Sequence, residues 1–305
     1  MAKAEVVCIM GPTASGKTDL AMQLYDDRPC DLISVDSALV YRHMDIGTAK
    51  PSQTELLNYP HQLINICNPD EPYSASKFRT DALGCIENAL SNNRLAVLVG
   101  GTMLYFKALL DGMADLPSAD QSIRDEINSQ AEASGWPALH NQLAVFDPIS
   151  AERIKPNDSQ RLQRAIEVYR ISGKTLTQFY HEQKESRLPY RVLNLAIAPT
   201  DRTILRERIR TRFMQMLADG LLDEVSQLIV EKHYDPDLPA LRSVGYRQVI
   251  EHLQGQCDYQ EMIENAVVAT ARLAKRQVTW LRGWPDVNWL ESSDPSNISK
   301  LVTLL

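Results

Sequence analysis

Eight consecutive residues, Gly11-Pro12-Thr13-Ala14-Ser15-Gly16-Lys17-Thr18, match G-x-x-x-x-G-K-[ST], a pattern whose chemistry is the binding of phosphate. Its glycines let the backbone wrap until successive N–H groups and a helix N-terminus face the phosphate oxygens. Lys17 adds a point charge, and the Thr18 hydroxyl is the expected magnesium ligand. Position agrees with pattern: the run Glu5–Met10 precedes the loop and a helical stretch, Asp19–Tyr25, follows it, as a strand–loop–helix phosphate site demands. A glycine-rich turn without a ligand would leave Lys17 unexplained.

A P-loop names the phosphate and not the reaction. An ordinary ATPase or GTPase offers a second apolar strand ending in Asp to complete the magnesium shell. Here Leu95–Val99 ends in Gly100-Gly101-Thr102, and the run that does end in Asp is Leu32-Ile33-Ser34-Val35-Asp36. Both endings fall at the C-terminal edge of a parallel sheet, where open α/β folds bind ligands. Asp36 and Thr102 are therefore expected to face the phosphate site.

The scaffold for these groups reads as short runs rich in Val, Ile and Leu: Glu5–Met10, Asp31–Val35, Leu63–Ile66, Leu95–Val99 and Val192–Ala198, with helical patterns between most of them. Continuous apolar runs are the signature of strands covered on both faces. The predicted class is α/β, a P-loop NTPase-like parallel sheet flanked by helices. The last run follows a gap of more than ninety residues that holds no strand-like segment. That gap reads as an inserted helical subdomain over 117–187, with a helix started by Asn157 or Asp158 and stopped at Gly173, so the core comprises 1–116 and 188–305. From Asp201 a helix is expected to about Glu231, then a loop holding Pro236 and Pro239, then helices to Leu281.

With 44% hydrophobic and 23% charged residues the chain is in the soluble globular range, and no apolar run is long enough for a membrane span. The N-terminus lacks a signal-peptide pattern, which points to the cytoplasm. Five scattered cysteines, Cys8, Cys30, Cys67, Cys85 and Cys257, form no C-x-x-C and signal neither disulfides nor zinc.

Taken together these residues resemble the tRNA dimethylallyltransferases (tRNA isopentenyltransferases), in their bacterial form. Four segments carry the match: Gly11–Thr18; Ser34-Val35-Asp36-Ser37-Ala38 with Tyr41 and Met44-Asp45-Ile46-Gly47-Thr48-Ala49-Lys50-Pro51; Gly100-Gly101-Thr102 with Leu104-Tyr105; and Val244-Gly245-Tyr246. A weaker match covers Asp158 with Gln160–Ala165, Gly173-Lys174, and Asp201-Arg202 with Leu205, Ile209, Arg210 and Arg212. Met103 departs from the family's small residue, and no zinc finger of the eukaryotic type follows the core.

The resemblance implies transfer of a dimethylallyl group from dimethylallyl diphosphate to N6 of adenosine 37 beside the tRNA anticodon. Gly11 to Thr18 would then cradle the diphosphate, with magnesium on Thr18 and Lys17 facing the charge that develops on the leaving group. Asp36 matches the base that takes the amine proton, Thr102 a hydroxyl near the bridging oxygen, and Arg212 a second cation on the diphosphate. Holding a flipped base inside an anticodon stem-loop needs further contacts. The family pattern puts these at Asp36, Ser37, Ala38, Leu39 and Thr102; at Arg124, Gln160, Arg161, Leu162, Gln163 and Arg164, so that the insertion would touch tRNA; at Arg242, Ser243, Val244, Gly245, Tyr246 and Arg247; and at Lys275, Arg276, Gln277, Val278, Thr279, Trp280, Leu281 and Arg282. Tyr246 is placed to stack on a base. A single copy of the chain is expected to act alone.

Helical geometry adds an independent point. Arg272, Lys275, Arg276, Thr279 and Arg282 share an arc of about 120°, with Leu273, Trp280 and Leu281 turned away. Three rivals stand beside this reading: a P-loop small-molecule or nucleotide kinase, an adenylate isopentenyltransferase acting on free nucleotides, and a non-catalytic RNA-binding NTPase module. The Asp36–Pro51 segment and the absent second Asp-ended strand oppose the first, the basic C-terminal helix the second, and a base-like Asp36 beside the phosphate site the third.

The net charge of −7, taken as a mean, argues against a nucleic-acid partner. The mean conceals a gradient: residues 1–149 hold 10 basic and 19 acidic groups, 150–212 hold 14 and 7, and 213–305 hold 8 and 13. A confined basic footprint on an acidic protein is compatible with RNA.

Overall fold

The computed structural model describes residues 4–182 and 188–305. In chain order its elements are β1 (Val6–Met10), α1 (Lys17–Asp27), β2 (Cys30–Val35), α2 (Gln53–Asn58), β3 (His61–Gln62), α3 (Ala75–Ser91), β4 (Leu95–Gly100), α4 (Met103–Asp111), α5 (Gln121–Ser134), α6 (Trp136–Phe146), α7 (Pro148–Arg153), α8 (Ser159–Ser172) and α9 (Leu176–Glu182). There follow β5 (Val192–Ala198), α10 (Arg202–Ala218), α11 (Leu221–Ser226) with a π-helical turn at Gln227–Glu231, α12 (Tyr246–Leu253), α13 (Tyr259–Arg282), β6 (Val287–Glu291) and α14 (Asn297–Leu304).

Six parallel strands form one sheet in the order β3-β2-β4-β1-β5-β6. All five residues of β1 are buried, as their unbroken apolar run requires of a central strand. Val7 and Ile9 pack with Leu20 and Leu24 of α1, Leu32 of β2, Val97 and Val99 of β4 and Leu195 and Ile197 of β5. After β1 the chain fills one side of the sheet, and after β4 it crosses to the other. That reversal puts the loops after β1 and β4 side by side, which is where open α/β sheets bind ligands.

By internal contacts the chain divides into Met1–Leu110 with Leu188–Leu305, and Asp111–Arg187. The end of the expected insertion, 183–187, lies outside the described residues. In the second unit α8 is capped by the Asp158 side chain and ends at Gly173 in the left-handed conformation. Two apolar clusters, around Leu143 and Leu162 and around Ile127 and Leu139, hold its helices together.

Four expectations are corrected. Leu63–Ile66 is not a strand: Leu63 and Asn65 have positive φ (63° and 57°), the ladder is confined to His61–Gln62, and Ile66 and Cys67 instead donate to the Val40 carbonyl. The helix expected to Glu231 breaks at Gly220 (φ 101°) and restarts as α11. Beyond Leu281 the chain adds β6 and α14. As an edge strand β6 keeps Asn288 and Trp289 exposed, so it shows no continuous apolar run. Lastly, Trp280 does not turn inward with Leu281, for it is 43% exposed.

Candidate active site

The phosphate loop sits between the end of β1 and the start of α1, with Ala14 and Gly16 in the left-handed region (φ 61° and 85°). Left-handed residues turn consecutive amides toward one side, the geometry that receives an anion. The Ser15 hydroxyl is fully buried and finds no partner among the described residues. Lys17 donates from Nζ to the Pro12 carbonyl at 2.7 Å. Burial lowers its pKa to about 8, with the Asp36 charge opposing and the Arg212 charge adding to that shift.

Asp36 follows β2. Its Oδ1 accepts from the amides of Ala38 at 2.8 Å and Leu39 at 3.3 Å, while Oδ2 has no hydrogen-bond partner among the described residues. Thr102 follows β4. Its amide donates to the Val35 carbonyl at 3.2 Å and its hydroxyl oxygen accepts from the Ser37 amide at 3.0 Å. The two strand endings therefore brace each other.

Arg212 reaches the same cavity from α10. Burial pulls its pKa down while the charges of Asp36 and Asp19 hold it up, and among the described residues its one hydrogen bond, to the Ala49 carbonyl, is long at 3.5 Å. A cation so lightly engaged is free to meet an anionic ligand. The cavity, about 560 Å³, is lined by Lys17, Thr18, Asp36, Thr102 and Arg212, by Ser37, Ala38 and Leu39, and by Arg242 to Gly245. Arg276, Gln277 and Trp280 of α13 complete that wall. Ile209, Phe213, Met216 and Leu273 give it an apolar side. The sequence offered one signal for part of that side: Ile209, Phe213 and Met216 repeat at i, i+4 and i+7 on the face that also carries Arg212.

Among the described residues, no three His, Cys, Asp or Glu gather to hold a metal ion. The donor set that fits magnesium is the hard hydroxyl oxygen of Thr18, which lines the cavity beside Lys17, completed by ligand oxygens and water.

Of the other residues expected at the RNA, some are buried or paired within the protein and some are exposed outside the cavity. Tyr246 is fully buried and cannot stack on a base: its hydroxyl donates to Glu224 Oε1 at 2.5 Å. Leu281 is buried in the core, and Leu162 in the helical unit. There Arg124 and Arg164 both pair with the buried carboxylate of Glu167, at 2.8 and 2.7 Å. Arg161 pairs with Asp158, Gln163 donates to Asn128 at 2.8 Å, and Gln160 is exposed. Arg247 lies 3.5 Å from Glu251, Val278 is half-buried, and the exposed Thr279 donates to the Lys275 carbonyl at 2.9 Å. Lys275 and Arg282 are exposed on α13 outside the cavity lining.

Glu224 was not signalled at all. Its carboxylate collects the amides of Asp45, Ile46 and Gly47, at 2.9, 2.7 and 3.1 Å, together with Tyr246. Gly47 is required there because a Cβ would fall 2.5 Å from the Tyr246 ring. Lys50, in the same segment, is held beneath the loop by Tyr41, Asp45 and Asn65.

The model of the family described as IPP transferase matches residues 39–284, and that described as isopentenyl transferase matches residues 4–66. The chain belongs to the IPP transferase family. Its members include solved structures that superpose over nearly the whole molecule. A tRNA isopentenylpyrophosphate transferase from Bacillus halodurans is 32% identical, with 99% of this chain and 95% of that one covered at a TM-score of 0.72. A tRNA delta(2)-isopentenylpyrophosphate transferase from Staphylococcus epidermidis is also 32% identical, over 99% and 98%, at 0.71. A eukaryotic dimethylallyltransferase acting on tRNA is 26% identical, over 99% of this chain and 78% of that one, at 0.82. As an IPP transferase the chain is a prenyl-transferring enzyme of α/β fold, and no helix among the described residues is long and apolar enough to cross a membrane.

Proposed function

We propose that this enzyme transfers the dimethylallyl group from dimethylallyl diphosphate to N6 of adenosine 37 beside the tRNA anticodon, releasing diphosphate. The observation that carries the reading is a carboxylate with one oxygen anchored and one free, Asp36, in the same cavity as the phosphate loop and a lightly bonded arginine.

The loop amides, Lys17 and Arg212 hold the diphosphate and meet the charge that grows on it as the allylic C–O bond breaks. Thr18 would hold magnesium, which would supply further positive charge to the leaving group. Ile209, Phe213, Met216 and Leu273 shelter the five-carbon group from water. An adenine amine is a weak nucleophile, and Asp36 Oδ2 accepts its proton as the C–N bond forms. Ser37 and Thr102 fix the turn that aims this carboxylate. Arg242, Arg276 and the exposed faces of Leu104 and Trp280 line the mouth through which a flipped base enters. The insertion, over residues 117–187, is the proposed second tRNA contact, with Gln160 and Arg161 its exposed groups. The enzyme is proposed to act as a monomer in the cytoplasm.

The test incubates the purified enzyme with unmodified tRNA, dimethylallyl diphosphate and magnesium, followed by nucleoside analysis. Prenylated adenosine at position 37 is expected. Phosphorylated product with ATP, or prenylated free AMP in place of tRNA, would overturn the assignment in favour of a kinase or an adenylate transferase.

A further inference from the structure

Gln277 is on the buried face of α13, three residues after Ala274 and four before Leu281, both buried. Its carboxamide joins two loops far apart in the chain. Oε1 accepts from the Thr13 amide at 3.2 Å, and Nε2 donates to the Gly101 carbonyl at 2.8 Å. One partner can only donate and the other only accept, which dictates how the amide is oriented. A carboxylate lacks the donor, Lys and Arg lack the acceptor, and Asn is one methylene shorter. Gly101 belongs to the same construction, because a Cβ at that position would fall 2.5 Å from Gln277 Nε2. The second glycine of Gly100-Gly101-Thr102 is thus what admits the amide. Thr102, the next residue, supports the turn that carries Asp36.

We propose that Gln277 is a positioning residue for the transfer reaction assigned above, on which this inference rests. It clasps the phosphate loop to the Gly101–Thr102 turn and does not itself contact RNA. Donor cradle and base-carrying turn are thereby held in one register. Arg276 and Trp280 on the same helix line the cavity, so the acceptor-facing wall and the cradle are joined through a single turn of α13.

Wild type is to be compared with Gln277→Met, which keeps the volume and removes both hydrogen bonds, and with Gln277→Glu, which keeps the acceptor and loses the donor. Three quantities are read: calorimetric affinity for inorganic diphosphate with magnesium, kcat and KM in prenylation, and direct tRNA affinity. Loss of two hydrogen bonds predicts about tenfold weaker diphosphate binding and about tenfold lower kcat for Gln277→Met, with tRNA affinity changed less than about twofold. Gln277→Glu should do no better, since its carboxylate faces the Gly101 carbonyl. Weaker tRNA binding with kcat and diphosphate affinity intact would overturn the clasp and make Gln277 an RNA contact, and unchanged values throughout would overturn it equally. Thermal melting checks that each variant folds; should the methionine variant fail, the glutamate variant carries the test. If wild type makes no prenylated adenosine, the assigned reaction falls while the diphosphate affinities still decide the clasp.

Discussion

Tyr246 gives its hydroxyl hydrogen to Glu224 at 2.5 Å, and that one bond joins the Val244-Gly245-Tyr246 segment to the loop at Asp45–Gly47 through a shared carboxylate. Gly47 and Tyr246 come from two different motifs, and they touch: the ring occupies the space where a side chain at Gly47 would be. Burial and the neighbouring Glu224 charge raise the tyrosine pKa far above its ordinary value, so the phenol stays protonated and stays a donor.

Removing that hydroxyl leaves a half-buried acceptor short of one partner, whereas removing the carboxylate orphans three amides and the phenol. Tyr246→Phe is expected to cost about 1 kcal/mol, and Glu224→Ala about 2–4 kcal/mol, in urea denaturation. Equal stabilities for wild type and Glu224→Ala would show that the loop is held by something else.

Asp36→Asn keeps the size of the side chain and removes its basicity. Prenylation kcat should fall at least about a hundredfold, in line with the loss of a general base. Donor affinity should hold or tighten, because an anion beside the cradle has been removed. A variant with normal kcat would assign the proton to another acceptor.

Burial lowers the Lys17 pKa to about 8. Below that pH it is already a cation and binds diphosphate without taking up a proton; above it, the neutral amine must be protonated on binding, so affinity declines as pH rises through 8. Calorimetry at pH 9 in buffers of different ionisation enthalpy should therefore report proton uptake that disappears by pH 6.5. Equal uptake at both would exclude Lys17 as its source.

On α13, charge and stacking should separate. Arg276→Ala is expected to weaken tRNA binding and to reduce the slope of log affinity against log salt by about 0.7–0.9. Trp280→Ala should cost about 1–3 kcal/mol with the slope unchanged, as stacking on a base is indifferent to counterions. If both variants alter the slope alike, the tryptophan acts by placing Arg276 and not by contact.

Motifs bounded by their own backbone were readable in one dimension. The phosphate loop needs only eight neighbouring residues in order, and Asp36 and Thr102 stand at the ends of apolar runs that form covered strands. The strand at Val287–Glu291 escaped because it lies at the sheet edge with Asn288 and Trp289, which point to opposite faces, both exposed, so that only Leu290 is buried and no apolar run forms. The apolar run at Leu63–Ile66 misled because hydrophobicity does not report backbone conformation: Leu63 and Asn65 have positive φ, and Ile66 and Cys67 donate to the Val40 carbonyl instead of extending a ladder.

From the sequence alone came the expectation of phosphate chemistry, the carboxylate and hydroxyl at the same cavity, the helical insertion and the resemblance that set the reaction class. All of these rest on residue types in fixed local order. What the tertiary structure decided is which of the motif residues line the cavity and which hold the others in place. Tyr246 and Leu281 went to the interior, Gln277 to a clasp between two loops, and Glu224, marked by no motif, to the centre of a third. The physical reason is that a hydrogen-bonding group has no preference for ligand over protein until folding supplies its partner, and those partners are 22, 176, 178 and 264 residues away.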